Sequence, residues 1–95
     1  MYNYFMIMGN VKSVEDNILT ITSTREFPEL DGTRKIDEFK FELRGALADE
    51  TFTKELEEGM PLGVKGRLEP FGNSCKAIAE RFIFTRDLRT FNAND

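Results

Sequence analysis

The chain has 95 residues with 40% hydrophobic and 32% charged side chains, enough for one small globular core and not for two. It has no histidine and no tryptophan, one cysteine and a net charge of -4. That excludes imidazole-based triads and metal sites and an internal disulfide, and it weighs against the basic excess usual in nucleic-acid binders. No apolar run approaches the roughly 20 residues of a membrane-spanning helix, and residues 1–8 lack a basic leader and a cleavage site.

The acidity is local. Residues 49–58 hold five acids and one base, and the rest of the chain carries equal numbers of each, so a weakly basic face elsewhere is compatible with the total. A lone thiol, Cys75, fits a reducing, cytoplasmic setting. It has no histidine partner, so an enzyme is not expected, nor is a metal or cofactor.

In chain order, residues 2–11 are rich in aromatic and apolar side chains and predict a buried strand with a bulge or bend at Gly9. Residues 11–17 are polar and predict a turn. Residues 18–25 are dominated by Ile and Thr and predict a second strand, closed by Phe27 and Pro28. Asp31-Gly32 marks the turn of a hairpin loop. Residues 35–44 alternate strictly: Phe39, Phe41 and Leu43 face one way, and Glu38, Lys40, Glu42 and Arg44 the other.

After Gly45 the period changes. Residues 46–58 predict a helix with Leu47, Phe52 and Leu56 as its apolar stripe, Asp49 or Thr51 as cap and Gly59 as stop. Met60, Leu62, Val64 and Leu68 predict the inward face of a fourth strand, and residues 70–73 a turn. Residues 76–85 predict a fifth strand, with Ala77, Ala79 and Arg81 on one face and Ile78, Glu80 and Phe82 on the other. Residues 86–95 read as a polar tail beyond a domain of residues 1–85. Phe5, Ile7, Phe41, Leu43, Phe82 and Phe84 are the expected core.

Three strands, a helix and two strands is the order of the OB-fold, an all-β, five-stranded Greek-key barrel with one α-helix between strands three and four. Four stretches in that order resemble bacterial single-stranded DNA-binding proteins: residues 3–11 (NYFMIMGNV), 19–27 (LTITSTREF), 37–49 (DEFKFELRGALAD) and 56–69 (LEEGMPLGVKGRLE). Residues 79–82 (AERF) fit the family's closing strand.

The resemblance implies base-stacking aromatics, and here the chain departs from its pattern. Phe27 stands where one such aromatic falls. The third-strand aromatic falls at Glu38, or at Phe39 if one residue is bulged, and the next falls at Arg44. The loop between strands four and five is cut to residues 70–74. The family's acidic, hydrophobic tail tip is missing, so no C-terminal partner-docking tip is expected. Primosomal replication protein N is a comparable short, tailless relative.

Single-strand binding requires cations along the phosphates and aromatic faces for the bases. The candidate set is Arg25, Phe27, Arg34, Lys35, Lys40, Arg44, Phe71 and Lys76. Lys65, Arg67, Tyr2 and Tyr4 are weaker candidates. Against this set, Lys40 and Arg44 can instead pair with Glu38 and Glu42 on a solvated face. The expected function is non-catalytic, sequence-independent binding of single-stranded DNA in replication or recombination. The alternative is an OB-fold protein-interaction module that has lost nucleic-acid binding. The resemblance also implies a homo-oligomer, dimer or tetramer, with the apolar residues 2–8 suited to an edge-to-edge contact. No membrane association is expected.

Overall fold

β-branched and aromatic residues with period two set the strands, and left-handed turn residues set their ends. The computed structural model describes residues 3–84. The strands are β1 (Phe5–Glu15), β2 (Ile18–Thr24), β3 (Ile36–Leu43), β4 (Pro61–Phe71) and β5 (Ser74–Phe84). They close into a barrel in the order β1-β2-β3-β5-β4. Only β3 and β5 run parallel, and that pairing joins just residues 41–43 to residues 77–79. This is the expected OB-fold. Tyr2 and the tail expected over residues 86–95 lie outside the described residues.

β1 runs further than its composition suggests. It pairs with β4 over residues 5–10 and with β2 over residues 10–15. Gly9 marks the crossing, where a Cβ would run into the Thr22 carbonyl and the Ile21 side chain. The strand's irregularity lies between Val11 and Ser13 rather than at Gly9. The turn expected over residues 11–17 shrinks to Asp16 and Asn17, with φ of 49° and 63°. Two left-handed residues in succession match the right-handed twist of the strands they join.

The core is formed by Val11, Leu19, Ile21, Phe41, Leu43, Leu62, Val64, Ala79 and Phe82, with Phe5, Ile7 and Phe84 packed at its margin. The Phe5 and Phe41 rings stack at 5.3 Å. Between β3 and β4 the helix is far shorter than expected: a 3-10 turn, Gly45–Ala48, and one α-turn, α1 (Glu50–Thr53). Asp49 is extended (φ -67°, ψ 132°) and accepts a hydrogen bond from Thr51 N, so it caps α1 and separates it from the 3-10 turn. The plug forms nonetheless. Leu56 is buried, Leu47 and Phe52 pack against the core, and Phe52 stacks on Phe82 at 5.6 Å.

Two expected faces need correction, and a bulge accounts for the one on β5. Lys65 is opposite Arg81 but Gly66 is opposite Ala79, so Glu80 is an extra residue in β5. Ala79 and Phe82 therefore both reach the core, while Ile78 and Glu80 do not share Phe82's face. Leu68, expected to point inward, is 43% exposed. Leu68 stands opposite Ala77, where the pairing of β5 with β3 ends, and it lines an open groove instead of the core.

Candidate nucleic-acid interface

The outer face of β3 carries Glu38, Lys40 and Glu42, as its alternation requires. Thr20 of β2 lies opposite Lys40, and Ser13 of β1 lies opposite Thr20. The tight β1–β2 turn bounds this face at one side, and the β4–β5 hairpin rises at the other. Between them runs an open groove of about 680 Å³, lined by Ser13, Thr20, Lys40, Glu42, Leu68 and Lys76 among others. Cys75 is exposed on its wall. Glu15 and Asp16 add carboxylates at the turn side, so the groove is close to neutral rather than basic.

The cations on and around this face differ sharply in their engagement. Lys12 of β1 takes Glu38 as its partner. Among the described residues Lys40 has no carboxylate within ion-pair distance, so its ammonium stands uncommitted on the groove floor. Lys76 donates to Glu42 at 3.4 Å and lies over the Phe71 ring at 5.1 Å. Phe71 itself, next to the Gly72-Asn73 turn, is 64% exposed.

Arg44 is engaged on two sides. It donates to Glu42, and its two terminal nitrogens donate to Glu69 at 2.9 and 3.0 Å, a fork-on-fork pair. The hydrogen bonds to Glu69 and Glu42 raise the guanidinium pKa. The bond from Arg44 in turn holds the Glu69 carboxyl below the usual range. Arg67 extends the chain of charges to Glu69 and Glu80, at 3.0 and 3.2 Å.

The remaining predicted residues form a separate cluster on the β2–β3 loop. Arg25 holds Asp37 through two bonds of 2.9 and 3.0 Å, and that hydrogen bond depresses the Asp37 carboxyl pKa. Arg34 donates to the carbonyls of Arg25 and Glu26, which fixes the loop from within. Lys35 approaches Glu29 at 4.0 Å. Asp31 accepts from Thr33 N and Oγ1, and Gly32 takes φ +88° at the turn the sequence marked. Phe27 leaves this braced loop 78% exposed.

The structure thus divides the predicted set in three. Lys40 and Lys76 line the groove, and Phe71 sits beside it under the Lys76 ammonium. Arg25, Phe27, Arg34 and Lys35 sit beyond Thr24, at the far end of β2, four residues or roughly 13 Å of strand from Thr20. Arg44 belongs to the ion chain. The β2–β3 register is continuous, so no bulge turns Phe39 outward; it packs against the core and Glu38 takes the outer position. Among the weaker candidates, Tyr4 is 68% exposed with Lys65 over its ring. Sequence reading did not single out Ser13, Thr20 or Leu68 as groove residues, or Glu69 as Arg44's partner. Strand parity marks the first two, but only the barrel closure brings Glu69 to Arg44.

No family model matches the sequence, and no curated protein matches it. Solved structures do. One is a small single-stranded DNA binding protein from Mycoplasma pneumoniae, with TM-score 0.64, 17% identity and coverage of 90% of each chain. Another is the Plasmodium falciparum SSB in complex with ssDNA, with TM-score 0.63, 14% identity and coverage of 88% of this chain and 95% of that one. A third is a deletion mutant of the single-stranded DNA binding protein from Thermus aquaticus, with TM-score 0.59, 20% identity and coverage of 86% and 49%. At these identities the likeness establishes the barrel that these proteins share.

Proposed function

We propose that this protein binds single-stranded DNA, without sequence preference and without catalysis, along the groove across β2 and β3. The observation that carries the reading is the pairing of Lys40, uncommitted among the described residues on the groove floor, with Lys76 on the wall, whose ammonium lies over the exposed Phe71 ring beside the groove. A phosphate needs the first and a base needs the second. Phe27 and the cations of its loop extend the same path at the far end of the strands. The similarity to solved single-stranded DNA-binding proteins supports the reading. The proposed role is in replication or recombination, in the cytoplasm.

Affinity leans on stacking more than on charge, because most cations of the site already hold carboxylates. The contact set is Arg25, Phe27, Arg34, Lys35, Lys40, Phe71 and Lys76. The test is an amide shift map of the isotope-labelled protein with unlabelled oligothymidine added. Shifts concentrated at Thr20, Lys40 and residues 71–76 support the groove. Shifts confined to residues 49–58, or none, contradict it.

The same reading includes a homo-oligomer. Among the described residues, residues 5–8 pair with β4 on one side only, and Tyr4, Met6 and Met8 are exposed beside them. An open strand edge with apolar flanks suits a second copy. A second functional reading, a protein-docking barrel, draws on the carboxylates Glu15, Asp16 and Glu42 in the groove. It predicts no oligothymidine binding even at low salt.

A further inference from the structure

Among the described residues, the β4–β5 hairpin beyond Leu68 and Ala77 has no backbone partner except itself. β5 pairs with β3 only at residues 77–79, while the hairpin ladder continues through Glu69 and Lys76 to Phe71 and Ser74. Three side-chain contacts tie the base of this arm to the barrel. Asn3 accepts from Leu68 N at 3.1 Å and donates to Leu68 O at 2.7 Å. Arg44 forks onto Glu69, and Glu42 accepts from Lys76. The last two both originate at the end of β3, and Glu69 and Lys76 are register partners across the hairpin.

We infer that Arg44 and Glu69 are positioning residues: they fix the direction of the β4–β5 arm, and so the place of Lys76 and Phe71 beside the groove, instead of meeting the phosphate backbone. The inference rests on the single-strand reading for its consequence and on geometry for its cause. An Arg44 with both ends of its guanidinium occupied by carboxylates offers little to an incoming phosphate. A bidentate pair does fix orientation, since both of its bonds hold only in one geometry. Glu69 gives the sharpest contrast. Removing a carboxylate near a polyanion site strengthens binding by simple electrostatics. Removing this one loosens the arm and weakens binding.

The experiment uses the whole chain as Arg44→Met, Glu69→Gln and, for comparison, Glu15→Gln, a groove carboxylate without a cation partner among the described residues. Backbone order parameters of the free proteins are read at residues 70–75. Anisotropy of labelled oligothymidine is read across a salt series. The expected result is that Arg44→Met and Glu69→Gln both lower the order parameters of the arm and weaken binding about fivefold, which is 1 kcal/mol in the range of one charge-assisted bond. Their salt slopes stay at the wild-type value, whereas loss of a phosphate contact lowers the slope by about 0.7. Glu15→Gln binds more tightly. In the Arg44→Met background, Phe71→Ala costs less than it does in the wild type, because the two act through one arm.

A rise in affinity for Glu69→Gln, a reduced salt slope for Arg44→Met, or an arm whose order parameters do not change would overturn the inference. Wild-type protein that fails to bind contradicts the proposed function instead, and the order parameters still decide whether Arg44 and Glu69 hold the arm.

Discussion

Lys40 on the outer row of β3 and Arg44 just past its end carry the same charge, and the structure gives them opposite circumstances. Lys12 takes Glu38, which leaves Lys40 without an ion-pair partner among the described residues; Glu69 and Glu42 take Arg44. Lys40→Ala is therefore expected to weaken oligothymidine binding and to flatten its salt slope by about 0.7, the share of one phosphate on a single strand. Phe71→Ala is expected to cost about 1–3 kcal/mol with the slope unchanged, since stacking releases no counterions. Affinity titrations at several salt concentrations separate the two effects, and equal behaviour of both variants would contradict this division of labour. The surrounding acid side chains explain why the sequence left the choice open. Alternating signs along one strand allow several pairings, and partners from β1 and β4 decide among them.

At the scale of elements, strand identity was legible because each strand carries its own period, and the two left-handed turn residues Asp16 and Asn17 are types that tolerate that conformation. Element lengths were less legible. Residues 46–58 have helical composition, yet Asp49 caps rather than continues, and only α1 and the 3-10 turn form. The faces of β5 were misjudged because a bulge at Glu80 shifts parity, and nothing local to residues 76–84 announces it; the partner Gly66 does, since a Cβ there would strike the Ile78 carbonyl. The ion pairs that brace these elements give a pH signature. Side-chain hydrogen bonds from Arg25, Lys12 and Arg44 hold Asp37, Glu38 and Glu69 below their ordinary values of 3.8, 4.5 and 4.5. A carboxylate with a lowered folded pKa stabilises the fold above its unfolded value and loses that contribution as pH falls through the folded one. The melting temperature is thus expected to hold from pH 7 to 5 and to drop below about 4.5, with the drop reduced by high salt because all three groups are at least partly open to solvent. A melting temperature unchanged down to pH 3 would mean that these pairs contribute nothing to the fold.

At the scale of the whole barrel, the described residues leave two surfaces unfinished: the groove, and the edge of β1 at residues 5–8 with Tyr4, Met6 and Met8 beside it. Light scattering is expected to give about 22 kDa or a multiple, twice the 11.0 kDa chain or more; 11.0 kDa at high concentration would remove the edge contact. The groove is the central claim. Its most direct test is fluorescence anisotropy of labelled oligothymidine, with a duplex of equal length as competitor, at low and then physiological salt. The account predicts micromolar or tighter binding to the single strand, weakened by salt and poorly competed by duplex, since stacking on Phe71 needs unpaired bases. No binding at low salt, or equal binding to duplex, would contradict it.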